Sequence, residues 1–141
     1  MYDTFKPEKA MGLMDFVKAA KTVIREVTAD EAEKMMAERP DLLVVDVRES
    51  SEHEQGHLNK ALLVPRGILE AAADPAYPKH NPEFAAARTR PVIVYCATGG
   101  RSAMAAAVMQ MMGFGEVYSL AGGFTAWEQA GKPVTREPRY V

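Results

Sequence analysis

Two continuous apolar runs constrain this chain most. Leu42-Leu43-Val44-Val45 closes on the acidic Asp46, and Val92-Ile93-Val94-Tyr95 closes on the chain's single cysteine, Cys96. A strand with one wet face alternates apolar and polar residues, whereas an unbroken run fits a strand buried on both faces, as in a parallel sheet. Helix signals stand between the strand signals, with no adjacent hairpin turns. Met11, Met14, Val17 and Ala20 recur at helical spacing within 10–20, and β-branched residues over 22–27 predict a strand. Thr28-Ala29-Asp30-Glu31 matches a capping box and opens a helix that Pro40 stops. A short strand over 61–64, one or two helical turns over 68–73, a proline-bearing loop over 74–82 and a short helical stretch over 82–87 precede the second apolar run. A helix over 101–112 then ends at Gly113, a strand covers 116–120, and Gly122-Gly123 opens a last helix that reaches Ala130, before Pro133. Strands alternating with helices imply an α/β fold with a mostly parallel central sheet of about five strands, flanked by helices on both faces. Sites in such folds form beyond the C-terminal strand ends.

The 141 residues suit one domain. Lys plus Arg number 17 against 19 acids, a net charge of -2, so no basic footprint tracks a phosphate backbone and nucleic acid is excluded as the expected partner. No apolar stretch approaches the ~20 residues of a spanning helix, and no secretory leader pattern opens the chain. A cytoplasmic protein, not a membrane one, is expected. One cysteine makes no internal disulfide, so its thiol is either inert or reactive.

A lone cysteine that closes a core strand is ordinarily inert packing. The sequence that follows it argues otherwise. Cys96 stands where a strand ends and a helix begins, and unpaired amides at a helix N-terminus favour a thiolate over a thiol. Gly99 and Gly100 permit backbone angles that turn successive N–H groups inward into an anion cradle, Arg101 adds a fixed positive charge, and Ser102 is placed to cap the helix.

The string Cys96-Ala97-Thr98-Gly99-Gly100-Arg101-Ser102 resembles the active-site loop of single-domain rhodanese-like sulfurtransferases. Asp46-Val47-Arg48 resembles that family's Asp-Val-Arg motif, and residues 54–61, with Gly56-His57-Leu58, resemble its Gly-His-Ile-x-Gly-Ala segment, with Lys60 where many members carry glycine. Leu120-Ala121-Gly122-Gly123-Phe124-Thr125-Ala126-Trp127 is similar to its closing signature. The resemblance implies a rhodanese-like domain over 23–134, preceded by an extension with a short helix (1–22) and followed by a polar, mobile tail (135–141). It also implies a chemistry in which the Cys96 thiolate attacks the outer sulfur of thiosulfate or a similar donor and sulfite departs. The amides of Ala97, Thr98, Gly99, Gly100, Arg101 and Ser102 would hold the resulting persulfide, which passes its sulfur to cyanide or to a small or protein thiol. No metal and no organic cofactor is implied. Four residues separate Cys96 from Arg101, as in sulfurtransferases, whereas phosphatases of the same fold have five. A Cys-dependent phosphatase or arsenate reductase is therefore a weaker alternative than a sulfur carrier or regulatory module that acts with a protein partner.

Other charged residues receive structural roles. Asp46 and Arg48 are expected to pair and anchor loops, since the proposed chemistry has no step that demands a carboxylic acid. His57 is expected to make structural hydrogen bonds. Arg66, at the end of the third strand, is a candidate second cation for a dianionic donor. Trp127 and Phe124 read as core, and Met104, Met109, Met111 and Met112 as core filler rather than metal ligands.

Overall fold

The computed structural model describes residues 8–136. Helix α1, Leu13–Lys21, begins after Gly12, whose amide donates to Asp15 Oδ2 at 2.7 Å, and buries Val17 and Ala20. It ends at Thr22, whose hydroxyl donates to Ala19 O. The expected strand over 22–27 is consequently confined to β1, Arg25–Val27. The capping box opens α2, Ala29–Glu38: Glu31 N donates to Thr28 Oγ1 at 3.1 Å and Thr28 N to Glu31 Oε1 at 2.8 Å. Strand β2, Leu43–Asp46, is buried throughout. Helix α3, Ser50–Gln55, lacks any apolar residue and so gave no periodic signal in the sequence. Next come β3 (Leu62–Leu63), a 3-10 turn (Arg66–Ile68), α4 (Leu69–Ala73), α5 (Pro82–Ala85, capped by Asn81) and a second 3-10 turn (Ala86–Thr89). The chain then forms β4 (Pro91–Tyr95), α6 (Gly100–Met111), β5 (Glu116–Leu120) and α7 (Gly123–Gln129).

The sheet order is β1-β5-β4-β2-β3, with every pairing parallel. Alternate residues of β4 serve opposite cores. Val92 and Val94 face a cluster with Leu69, Phe84, Ala105 and Met109 from α4, α5 and α6, and Ile93 and Tyr95 face one with Ala32, Leu58 and Trp127 from the α2 and α7 side. Helix α1 packs on α6. Trp127 is core, as expected, and its indole N–H donates to Pro133 O at 2.8 Å. Among the described residues no helix is long and apolar enough to cross a membrane. The expected tail is tied at its first residue, because Thr135 and His57 exchange two backbone hydrogen bonds of 2.8 and 2.9 Å. Residues 1–7 and 137–141 lie outside the described range.

Candidate active site

Strands β2 and β4 end side by side, with Asp46 opposite Tyr95. Cys96 is the next residue, at the C-terminal edge of the sheet, and is buried with 1% of its surface exposed. Gly99 takes φ 109°, a left-handed conformation that glycine adopts without a steric penalty, and acts as the N-cap of α6. That turn aims the Gly99 amide at Cys96 Sγ, 3.1 Å away. Helix α6 thus begins beneath the sulfur with its positive dipole end.

Ser102 departs from the expected cap. It lies inside the helix, beyond the capping position that Gly99 holds, and its hydroxyl is 3.3 Å from Gly99 O and 2.8 Å from Ser119 Oγ. Cys96 Sγ lies 3.6 Å from Ser102 Oγ, so the serine supports the sulfur from below. The roof of the loop is α7. Phe124 N donates to Cys96 O at 2.8 Å and Thr125 N to Ala97 O at 3.0 Å. Gly123 makes this contact possible: its φ is 59°, and a Cβ there would stand 2.5 Å from Cys96 O and 2.6 Å from Ala97 O.

Arg101 is held by a residue outside the sequence expectations. Glu52 of α3 accepts both of its guanidinium bonds, at 2.9 and 3.1 Å, with both side chains about one-third exposed. The bond from Arg101 holds the Glu52 carboxyl down to about 2, and Glu52 in turn raises Arg101. No sequence signal pointed to Glu52, which lies 49 residues from Arg101.

The neighbouring strand end forms a closed polar network. Asp46 Oδ1 accepts from Arg48 N and Nε at 2.9 and 3.0 Å, while Oδ2 accepts from Arg48 Nη2 at 2.8 Å and Tyr95 O–H at 3.0 Å, and lies 2.8 Å from His53 Nδ1. Burial alone would raise the Asp46 carboxyl, but hydrogen bonds from Arg48 and His53 outweigh it and hold it below the usual range. Arg48 also donates to Gly56 O and lies over the Phe124 ring. His57 stacks on His53 and its Nδ1 meets Leu58 O at 2.8 Å. Arg66 pairs with Glu70 at 2.9 Å and lines a groove between α1 and α6.

The family profile described as Rhodanese-like domain matches residues 28–130. The chain belongs to the rhodanese-like family. A sulfurtransferase of Allochromatium vinosum is 30% identical over 112 residues, which cover 79% of this chain and 95% of that one. The thiosulfate sulfurtransferase GlpE of Coxiella burnetii is 31% identical over 104 residues, 74% of this chain and 87% of its own. Among solved structures, one from Rhodopseudomonas palustris, described as a protein of unknown function and possible tyrosine phosphatase, is similar at TM-score 0.81 and 34% identity, covering 92% of this chain and 98% of that one. The rhodanese-like relatives thus support an enzyme of the sulfurtransferase type.

Proposed function

We propose that this protein takes a sulfane sulfur from thiosulfate or a similar anionic donor onto Cys96 and passes it to a thiol or to cyanide. The observation that carries this reading is the Gly99 amide donating to Cys96 Sγ at 3.1 Å at the start of α6, an arrangement suited to a sulfur that bears negative charge. Cys96 Sγ attacks the outer sulfur of the donor, the donor's S–S bond breaks, and sulfite leaves with the bonding pair. The outer sulfur of the Cys96 persulfide then carries the negative charge, with the amides from Ala97 to Ser102 as its surroundings. Attack by cyanide or a thiolate on that sulfur releases thiocyanate or a new persulfide and returns the Cys96 thiolate. Arg101, fixed by Glu52, is the cation assigned to the donor. Arg66, in the 3-10 turn before α4, pairs with Glu70 and lines the groove between α1 and α6, so this reading gives it no part in donor binding.

Access favours sulfur over phosphoryl transfer. With 1% of its surface exposed, Cys96 leaves little room around its sulfur for a bulky reacting group. Thiosulfate presents its reacting atom as a one-atom tip, whereas a phosphoryl group surrounds its reacting atom with oxygens. The likeness to the structure described as a possible tyrosine phosphatase makes a phosphate ester the necessary comparison. A reducing, cytoplasmic setting suits an enzyme whose only cysteine must remain a free thiol.

Intact mass after incubation of the reduced protein with thiosulfate tests the reading. A gain of one sulfur atom is expected, absent in Cys96→Ser and discharged by cyanide or a small thiol. Phosphate release from a generic monoester without sulfur gain would instead establish the phosphatase. A gain of sulfur that small acceptors fail to discharge would assign a carrier with a protein acceptor.

A further inference from the structure

Helix α1 carries an apolar stripe that none of the described residues covers. Val17 and Ala20 are buried, but Leu13 and Phe16 beside them are 68% and 51% exposed, and Val23, just past the helix end, is 62% exposed. Phe16 and Val23 line, with Met104, Ala107 and Val108 of α6, a groove of about 310 Å³. Ile68, two residues past Arg66 of the groove, is 55% exposed, and Met111, expected as core filler, instead lies on the surface at 80% exposure. Ile68 belongs to the 3-10 turn that packs on α6, and Met111 lies one turn beyond Ala107 and Val108, where Gln110 Nε2 donates to Val23 O at 2.9 Å.

The area argues for an occupant. These exposed side chains together offer on the order of 500 Å² of apolar surface around the groove, at the upper end of what a monomer displays. A stable interface of the common size buries roughly 800 Å² per partner, a little over half of it apolar, so the patch matches one side of such an interface. The rim argues for which occupant. Arg66, which lines the groove, pairs with Glu70 at 2.9 Å, and Lys21, next in the chain to Ala20 of the lining, pairs with Glu26 at 3.8 Å, so the cations by the groove each carry an acid. A twofold axis sets a surface against its own image; a rim of one sign would repel that image, while alternating pairs let Arg66 of one copy face Glu70 of the other.

We infer that this face is the interface of a homodimer, formed by α1, α6 and the 3-10 turn of two copies. The inference does not rest on the sulfur chemistry, yet it bears on the site. Val17 of α1 backs the catalytic loop, 3.6 Å from where a Cβ on Gly100 would stand, so pairing clamps the helix that supports that loop.

Sedimentation velocity of the full chain between about 1 and 200 μM tests the proposal, read against the monomer mass of 15.5 kDa. A species of twice that mass is expected, with a return to the monomer mass in Phe16→Glu and, separately, in Ile68→Glu. Both side chains are more than half exposed, so each variant should fold, as far-UV circular dichroism would check; if one does not, the other decides. A wild-type chain that stays at the monomer mass at the highest concentration overturns the proposal and leaves the groove to a different partner. So does a dimer that survives both substitutions.

Discussion

Strands β2 and β4 end one beside the other in register, and Asp46, which closes the first, and Cys96, which follows the second, meet opposite fates. At the end of β2, Asp46 accepts from Arg48 and Tyr95 and lies against His53, so that neither carboxylate oxygen is left for a ligand. At the end of β4, Cys96 Sγ receives one amide, from Gly99, at the opening of a long helix. Charge that is saturated by fixed neighbours holds loops together; an atom with one fixed donor and unused lone pairs can still react. The two ends are linked through α3, which presents His53 to Asp46 and Glu52 to Arg101.

The sharpest way to break this division is to change one end at a time. Cys96→Ser should reduce sulfur uptake to background, measured as mass gain and as thiocyanate formation, while thermal melting changes by less than the equivalent of ~1 kcal/mol. Asp46→Ala should do the reverse. It leaves the Arg48 guanidinium buried without its carboxylate and should cost roughly 3–5 kcal/mol in denaturant unfolding, a large share of a domain's ~5–15 kcal/mol. Equal destabilisation by both substitutions would erase the distinction.

Gly123→Ala should fall between the two. A Cβ 2.5 Å from Cys96 O forces apart the α7–loop contact, and a side chain at φ 59° adds backbone strain. A loss of about 2–3 kcal/mol accompanied by at least a tenfold fall in kcat/KM is expected. Stability lost with activity retained would show that α7 does not hold the loop.

These positions were unequally legible in the sequence. Cys96, its glycine turn and the flanking strand and helix stood in one contiguous string, and the paired Asp46 and Arg48 are two residues apart. Glu52 was invisible because its partner is 49 residues away and its helix, α3, buries no side chain, so no periodicity marked it. Ser102 was misplaced by one turn: the backbone conformation of Gly99, not residue type, decides where α6 begins. The helical spacing of Met11, Met14, Val17 and Ala20 marked α1 as a helix, but not its exposed stripe, since a sequence does not show which apolar residues a fold leaves uncovered.

Glu52→Gln probes the link between the two strand ends. The variant should raise the donor KM by about tenfold with kcat changed less, because Arg101 loses its anchor but keeps its charge. The pH dependence has a definite sign. Glu52 stands at about 2 in the fold against 4.5 ordinarily, a lowered value, so the ion pair's contribution to stability is complete above pH 4.5 and is lost as pH falls toward 2. The gap in melting temperature between wild type and Glu52→Gln should therefore be constant from pH 7 to 5 and narrow below 4.5. A gap that instead widens on acidification would show that Glu52 is not ionised against Arg101.

The smallest effect is expected at Arg66, the other cation near this edge of the sheet. Its guanidinium bonds Glu70 one turn along, in a partly exposed pair of the kind that contributes about 0.3–0.5 kcal/mol. A donor held at Cys96 by the Gly99 amide and Arg101 has its charge met within the loop, so Arg66→Ala should leave the donor KM within about twofold of wild type in steady-state assays. The assay should be run on the purified protein at a concentration where its assembly state is known, since Arg66 also borders the α1–α6 groove. A KM raised fivefold or more at unchanged assembly would bring Arg66 into the donor site and extend that site from the cysteine loop toward α1.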